Sequence, residues 1–413
     1  MKRTTILSIA ALALIFASCR QHGLELMNPT VARYDTPSEQ FKVVWRTIDN
    51  GYAFWDIDPT NWDSLYRVYL PRFEELDELY KAGNYIPTET LQAYYTDMCQ
   101  HFVDHHMAIR VLNLWQDPED PDGNIVLVHP GQIEVEKRPY YHDRFSDSLL
   151  LSCIEKIEKT ERHFVAGSNA DGDQSALACN FDGIAYLKLS GYMLTGAFQS
   201  SDSLSVCIRE IYLQFHQWCA AKDLKGIILD NRGNTGGSLS DMDFVVSPFL
   251  QNDILLGHTR RKEGLGRYDY TPWIPYNIKH GDPLAGTPNL DPIGDIAVPI
   301  VVLADINSVS MGELTTQAIA QMPNGCFIGE RTFGGHGPLF RHLFEINYAG
   351  PIETNNHVVY TSNDVFRDAD GKITEGIGYT PTYEVLYDEE QMRAGVDIQL
   401  NAALNYIRTG SIN

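Results

Sequence analysis

Hydrophobic residues in the C-terminal half of the chain alternate between short continuous runs and longer runs with helical spacing. Short apolar runs bounded by turn residues predict buried strands, and apolar residues recurring every three or four positions predict amphipathic helices. In chain order the predicted elements are a strand over 184–189, a helix over 204–219, a strand over 226–229, a helix near 239–250, a strand over 298–304 and a helix over 310–322. This alternation predicts a parallel α/β layer.

The N-terminal half has a different pattern. Phe41, Val44 and Ile48 stand at helical spacing, and a second helical run covers 91–102. The pattern is mixed after that: a strand-like run at 125–128, a helix near 149–159 and, further on, a Pro-, Gly- and Asp-rich stretch at 268–292 that predicts a long loop. Because the chain is too long for one ordinary core, we predict an N-terminal helical domain over 20–110, a linking region over 111–180 and a core domain over 181–413.

The start of the chain has the features of a lipoprotein signal peptide, residues 1–19. Lys2 and Arg3 precede an apolar run over 6–16, and small residues stand immediately before Cys19. An apolar run of this length is too short to span a bilayer and is typical of a signal that is removed. We expect Cys19 to become a lipidated N-terminus that anchors the protein in the bacterial cell envelope, facing the periplasm or the outside. Ordinary secretion with cleavage nearby is the alternative.

Composition narrows the classes of partner. The net charge of -22 argues against nucleic acid and anionic lipid as partners. The six cysteines after Cys19 have neither a metal-ligand spacing nor a disulfide framework. The stretch 368–371 begins like a calcium loop but lacks the remaining ligand positions, so we interpret it as a turn. We expect no metal and no cofactor.

A serine-containing turn follows the strand predicted at 298–304. The sequence Asn307-Ser308-Val309-Ser310-Met311-Gly312-Glu313 places Ser310 at a helix N-terminus, where unpaired backbone N–H groups favour negative charge. Such a position suits the nucleophile of an acyl-transfer reaction. Ser310 and Glu313 also have the spacing of a capping box, in which both side chains only satisfy backbone donors.

A glycine-rich turn, 230–238, follows the strand predicted at 226–229. If the two strands are parallel neighbours, their carboxyl ends bring Gly236 and Gly237 beside the Ser310 turn. Backbone N–H groups of Met311 and of Gly236 or Gly237 could then stabilise an oxyanion. The alternative is an ordinary glycine-rich turn between a strand and a helix.

These turns resemble the motifs of the S41 peptidases, which include the C-terminal processing peptidases and tricorn protease. Residues 230–237 match D-x-R-x-N-x-G-G, residues 308–313 match S-x-S-x-x-E with Ser310 in the place of the nucleophile, and 328–335 resembles G-E-x-T-x-G. The resemblance covers most of the chain after Cys19. It implies a ClpP/crotonase-like spiral of βαβ units with an N-terminal helical segment and a closing β segment after His357. We find no signature of a PDZ domain.

The general base is assigned through the same resemblance. The processing peptidases have a lysine after the G-E-x-T-x-G segment, where this chain has His336. The tricorn-like branch uses a histidine from a D-x-H segment and a glutamate from E-x-x-G-x-x-P, which are matched by His106 and by Glu375. Imidazole suits proton transfer at neutral pH. His105 and His336 are the alternative bases.

The resemblance implies a serine-type peptidase that hydrolyses peptides or unfolded proteins through Ser310, His106 and Glu375, and the predicted signal peptide indicates that it acts in the cell envelope. The alternative is a catalytically silent lipoprotein that binds a peptide or a small ligand on the same fold, because fold alone does not establish function. An acyl-thioester enzyme on a related spiral fold is a third and weaker interpretation. The sequence does not indicate the oligomeric state.

Overall fold

The structure is a computed structural model that describes residues 34–119, 123–170, 172–339, 349–350 and 352–413. The predicted signal peptide and Cys19 lie outside the described residues. The chain forms two compact units, each built from three segments. The first contains the described residues up to Pro130 together with Arg260–Pro272 and Pro338–Val365, and the second contains Gly131–Thr259, Trp273–Gly337 and Phe366–Asn413. The boundaries predicted at 110 and 180, in contrast, divide the chain into domains that are each one continuous segment.

The helices, in chain order, are α1 (Pro37–Gly51), α2 (Trp62–Lys81), α3 (Thr88–Cys99), α4 (Pro130–Val135), α5 (Asp147–Ile154), α6 (Leu194–Gln199), α7 (Ser203–Cys219), α8 (Met242–Val245), α9 (Met311–Ala320), α10 (Glu389–Arg393) and α11 (Ile398–Thr409). The strands are β1 (Ala108–Leu112), β2 (Ile125–Val128), β3 (Thr160–Asn169), β4 (Gly172–Phe181), β5 (Ile184–Leu189), β6 (Gly226–Asp230), β7 (Ile254–Arg261), β8 (Ile274–Ile278), β9 (Ile300–Ala304), β10 (Gly325–Gly329), β11 (Ile352–Glu353), β12 (His357–Tyr360), β13 (Asp364–Asp368) and β14 (Tyr383–Glu384). Among the described helices, none is both long enough and apolar enough to cross a membrane.

The first unit packs helices α1 to α3 with a four-stranded antiparallel sheet of order β11-β12-β1-β2. Helix α1 begins where the Thr36 side chain accepts a hydrogen bond from the backbone N–H of Glu39, which satisfies a donor of the first turn. Phe41, on the buried face of α1, stacks on Phe73 of α2 with ring centroids 4.6 Å apart. The predicted spacing of Phe41, Val44 and Ile48 is therefore the buried face of a helix.

The second unit is built on a seven-stranded sheet of order β14-β10-β9-β6-β5-β4-β3. Strands β5, β6, β9, β10 and β14 run parallel to one another, and β4 pairs antiparallel with both β3 and β5. All residues of β5, β6 and β9 are buried. Alternate strand residues pack against α7 and α9 on one face and against α5 and α11 on the other, as expected for a parallel sheet covered on both sides. The predicted α/β class is confirmed.

Three segments differ from the sequence-based expectation. The helix predicted near 239–250 is broken into a 3-10 turn (Leu239–Asp241), the four-residue α8 and a second 3-10 turn (Ser247–Phe249) that contains Pro248. The loop predicted at 268–292 includes β8, which pairs antiparallel with β7. The linking region contributes β3 and β4 to the large sheet, where β3 is an edge strand and largely exposed, so hydrophobic alternation did not indicate it.

Candidate active site

Ser310 occupies the turn between β9 and α9 in a backbone conformation that residues with a side chain rarely adopt. Its φ is 57° and its ψ is -120°. Conformations of this kind cost on the order of 1–3 kcal/mol and persist only where the surroundings fix them. Here the Ser310 N–H donates to the carbonyl of Gly335 at 2.8 Å, and the Ser310 carbonyl accepts from the N–H groups of Glu313 and Leu314 at 2.9 and 3.0 Å. The turn is thus held on both sides of Ser310.

The capping-box interpretation of Ser310 and Glu313 does not describe the structure. The Ser310 side chain makes no cap hydrogen bond to α9. Glu313 does not reach back to Ser310 with its carboxylate but accepts hydrogen bonds from the N–H groups of Gly334 and Gly335, at 2.8 and 2.7 Å, and from the Thr332 hydroxyl. The half-buried Ser310 hydroxyl is therefore not committed to helix capping.

Glu313 holds the 332–335 turn against the serine. Its side chain is fully buried, and burial raises its pKa to about 7 despite the hydrogen bonds from Thr332, Gly334 and Gly335. The same turn supplies the Gly335 carbonyl that binds the Ser310 N–H. Glu313 therefore positions Ser310 indirectly, through a turn that lies about 20 residues further along the chain.

The glycine-rich turn after β6 approaches Ser310 closely. Gly236 and Gly237 have φ angles of 92° and 144°. A Cβ atom on Gly236 would lie 2.4 Å from the Cβ of Ser310, and one on Gly237 would lie 2.1 Å from the carbonyl oxygen of Tyr192. Both positions therefore require glycine.

The backbone N–H groups of this region differ in what they bind. The Gly236 N–H donates to Asn234 Oδ1 at 2.8 Å. Those of Gly237 and Met311 have no acceptor among the residues that the structure describes. The Met311 nitrogen lies only 3.0 Å from the position that a Gly236 Cβ would take, which places it in the same small region as the Ser310 hydroxyl.

A buried charge cluster fixes the beginning of the glycine-rich turn. The Arg232 guanidinium donates to both carboxylate oxygens of Asp230 and to both of Asp397, at 2.6 to 2.9 Å. Lys188 adds a second cation 4.0 Å from Asp230. Burial alone would raise the pKa of Asp230, but the charges of Arg232 and Lys188 outweigh it and lower the pKa to about 2. The D-x-R part of the motif is thus a structural anchor. Asp397 was not indicated by the sequence.

Glu375 and His336 lie together in the second unit. Glu375 Oε2 accepts hydrogen bonds from the backbone N–H groups of His336 and Gly337 at 3.1 and 2.8 Å, and lies 3.8 Å from His336 Nδ1. His336 Nε2 is 3.1 Å from the Thr374 hydroxyl oxygen, and the buried ring packs beside Tyr379. Glu375 therefore stabilises the chain immediately after the 332–335 turn.

His105 and His106 belong to the first unit, in the turn before β1. The buried Asp104 accepts hydrogen bonds from the Thr361 hydroxyl at 2.6 Å and from the Ser362 N–H at 2.7 Å. Its other oxygen accepts the backbone N–H of His106 at 3.0 Å. His106 is partly exposed and His105 is buried. Asp104 thus fixes the backbone that carries His106.

Comparison with known protein families finds a match for the part of the chain that contains Ser310. Residues 183–385 match the family model described as peptidase family S41. These residues belong to peptidase family S41. The S41 segment contains both turns of the candidate site, from the glycine-rich turn after β6 to Glu375.

Two solved structures have a similar fold but a low sequence identity to this chain. A candidate peptidase from Parabacteroides merdae is 21% identical and superposes with a TM-score of 0.62, over 91% of this chain and 97% of that protein. Mature CPAF is 10% identical with a TM-score of 0.56, over 92% of this chain and 99% of CPAF. At these identities the likeness shows the fold alone.

A curated relative matches over a shorter stretch. The nisin-resistance protein of Lactococcus lactis subsp. lactis is 32% identical over 112 residues, which is 26% of this chain. The match spans about a third of the length of that relative, 33%.

Proposed function

We propose that this protein is a serine peptidase of the cell envelope in which Ser310 is the nucleophile, His106 the general base and Glu375 a supporting residue. The observation that carries the proposal is the backbone of Ser310, with φ of 57° at the N-terminus of α9. Glycine would adopt this conformation without strain, and the Ser310 hydroxyl contributes nothing to helix capping. A strained serine whose side chain has no structural task is what a nucleophile in a turn requires.

The proposed reaction is acyl transfer to Ser310 followed by hydrolysis. The Ser310 oxygen attacks the peptide carbonyl carbon while the imidazole takes the hydroxyl proton, and the imidazolium then protonates the amine as the C–N bond breaks. Water then attacks the acyl carbon while the imidazole takes a proton from it, and the imidazolium returns that proton to the Ser310 oxygen as the acid product leaves. A general base of this kind contributes roughly 10²- to 10⁴-fold to the rate.

The oxyanion would be stabilised by the N–H groups of Gly237 and Met311. Gly236 takes another role in this proposal, because its N–H already donates to Asn234 and its missing Cβ makes room for Ser310. One oxyanion donor is worth roughly 10²- to 10³-fold in kcat. The N-terminus of α9 adds a partial positive charge at the same place.

The assignment of the base rests on the D-x-H resemblance at Asp104 and His106. Asp104 gives it physical support, because its buried carboxylate fixes the His106 backbone. His336, which follows the turn held by Glu313, and His105 are the competing bases. Variants must discriminate between the three histidines.

Location and substrate are part of the proposal. Cys19 would carry the lipid that holds the peptidase at the membrane of the envelope, and peptides or unfolded proteins would be its substrates. Membership of a peptidase family supports the substrate class. The relative named for nisin resistance supports a role at the cell envelope.

The proposal is tested by active-site labelling of the purified chain with a fluorophosphonate, with cleavage of a mixed peptide pool measured in parallel. The variants are Ser310→Ala and His106→Ala, and His163→Ala serves as the matched histidine control because His163 is exposed on β3. We expect both labelling and cleavage to be lost in the first two variants and retained in the control.

Other outcomes would redirect the proposal in defined ways. Loss in His336→Ala or His105→Ala, with His106→Ala fully active, would transfer the role of base to that histidine. A folded wild-type protein that neither labels nor cleaves any peptide would contradict the peptidase and favour the silent binding protein.

A further inference from the structure

A polar cavity of about 300 Å³ lies at the carboxyl ends of β5, β6 and β9. Its walls include Ser190 after β5, Gly233 and Thr235 from the glycine-rich turn, and Asp305 after β9. Thr235 immediately precedes Gly236, the residue that packs against Ser310. The two turns that form the proposed active site therefore also form this cavity.

Asp305, which lines the cavity, has a buried carboxylate oxygen without a hydrogen-bond partner in the described part of the chain. The side chain is 1% exposed, and its Oδ1 accepts the backbone N–H groups of Gly233 and Asn307 at 2.9 and 3.0 Å. Its Oδ2 has no hydrogen-bond partner in the described part of the chain. A buried carboxylate oxygen without a donor is costly, and burial accordingly raises the pKa of Asp305. A ligand that donates a hydrogen bond would remove this cost.

The charges around the cavity favour a cation. Arg232 and Lys188 line it, but Arg232 is neutralised by Asp230 and Asp397, and Lys188 lies 4.0 Å from Asp230. These four groups together carry no net charge. The remaining charged wall residues are three carboxylates and one guanidinium: Asp147, Asp173, Asp305 and Arg144.

We infer that this cavity is a subsite for a primary ammonium group of the peptide substrate, bound by Asp305 Oδ2. The inference rests on the proposed peptidase function and specifies its substrate. The hydroxyl groups of Ser175 and Thr235, which also line the cavity, offer acceptors for the other ammonium hydrogens. The ammonium group is either the free N-terminus of a peptide or a lysine side chain.

The test measures binding rather than turnover, on the full chain carrying Ser310→Ala. The probes are fluorescent alanine hexapeptides with blocked ends and a lysine at one position, each paired with its norleucine counterpart. A further pair compares a free with an acetylated N-terminus. We expect one ammonium-bearing peptide to bind about 10- to 100-fold more tightly than its partner, the range of a charge-assisted hydrogen bond in a buried site. The preferred pair identifies the source of the ammonium group.

The decisive variant is Asp305→Asn in the same background, which preserves an Oδ1 acceptor for Gly233 and Asn307 but removes the charge. We expect the preference to fall to less than about threefold, because a neutral amide gains little from an ammonium group. Asp173→Asn is the matched control, since Asp173 lines the cavity but is exposed and bonded to Ser168, and it should preserve the preference. Thermal unfolding establishes that each variant is folded.

Either of two results would overturn the inference: equal binding within every peptide pair, or a preference that is unchanged in Asp305→Asn. Wild-type turnover separates this failure from that of the proposed function. Cleavage without any ammonium preference removes only the subsite. An Asp305-dependent preference in binding, with no cleavage by wild type, removes only the peptidase.

Discussion

Gly236→Ala should inactivate the peptidase by moving Ser310, the proposed nucleophile, rather than by removing a chemical group. The new Cβ would lie 2.4 Å from Ser310 Cβ and 2.9 Å from Ser310 Oγ. The first of these distances is about 1 Å shorter than ordinary van der Waals contact, so the Ser310 turn must shift by a comparable amount. A misplacement of about 1 Å at a reacting atom costs roughly 10²-fold in rate. We therefore expect kcat/KM to fall by about two orders of magnitude.

The substitution also affects stability, and the two effects can be separated. Alanine at a φ of 92° adds backbone strain of about 1–2 kcal/mol, and overpacking adds about 1–3 kcal/mol. Gly286→Ala is the matched control, because Gly286 has a φ of 82° and no atom within 4 Å of its Cβ position. It should lose only the strain contribution, about 1–2 kcal/mol, and keep its activity.

The assay combines kcat/KM on a peptide cleaved by wild type with urea unfolding of all three proteins. Gly236→Ala with wild-type kcat/KM would refute the close approach of the glycine-rich turn to Ser310. Equal losses of activity in Gly236→Ala and Gly286→Ala would show that strain, and not contact with the nucleophile, is responsible.

The remaining predictions concern buried charges. Burial raises the pKa of Glu313 to about 7, so the folded state binds more protons than the unfolded state between pH 4.5 and about 7. The free energy of unfolding of the wild type should therefore fall by about 3 kcal/mol as the pH rises across this window. Urea unfolding of Glu313→Gln should show no such dependence on pH. Asp397→Ala leaves the buried Arg232 without one of its carboxylates and should lower the free energy of unfolding by about 3–5 kcal/mol. Lys225→Ala, the control, removes an exposed ion pair and should lower it by less than about 1 kcal/mol in the same urea assay. Burial lowers the pKa of His357 to about 4, so stability should fall as pH decreases from about 6.5 to about 4, and acid unfolding of His357→Gln should lack that component.

The position of Ser310, the proposed nucleophile, could be predicted from the sequence because local patterns determine it. A buried apolar strand, a short polar turn and a helical period place Ser310 at the same point in any parallel α/β layer. The glycines at 236 and 237 could be interpreted in the same way, since their function in the turn follows from the absence of a side chain.

The supporting residues could not be predicted, because they act through contacts between distant segments. Asp397 meets Arg232 across 165 positions, and Glu313 accepts hydrogen bonds from Thr332, Gly334 and Gly335, which lie 19 to 22 positions further along the chain. Strand β3 was missed for another reason: it lies at an exposed edge, where hydrophobic alternation is weak. Which histidine is the base remains a prediction.

The salt bridge between Arg232 and Asp397 has a consequence for biosynthesis. A ribosome makes Asp230 and Arg232 long before it makes the carboxylate that completes their cluster. Until Asp397 emerges, the guanidinium has only one of its two carboxylates, and enclosing it in the protein interior would be unfavourable. The glycine-rich turn should therefore reach its final form late in synthesis. A nascent chain would then carry Ser310, the proposed nucleophile, before the proposed oxyanion donors reach their final positions.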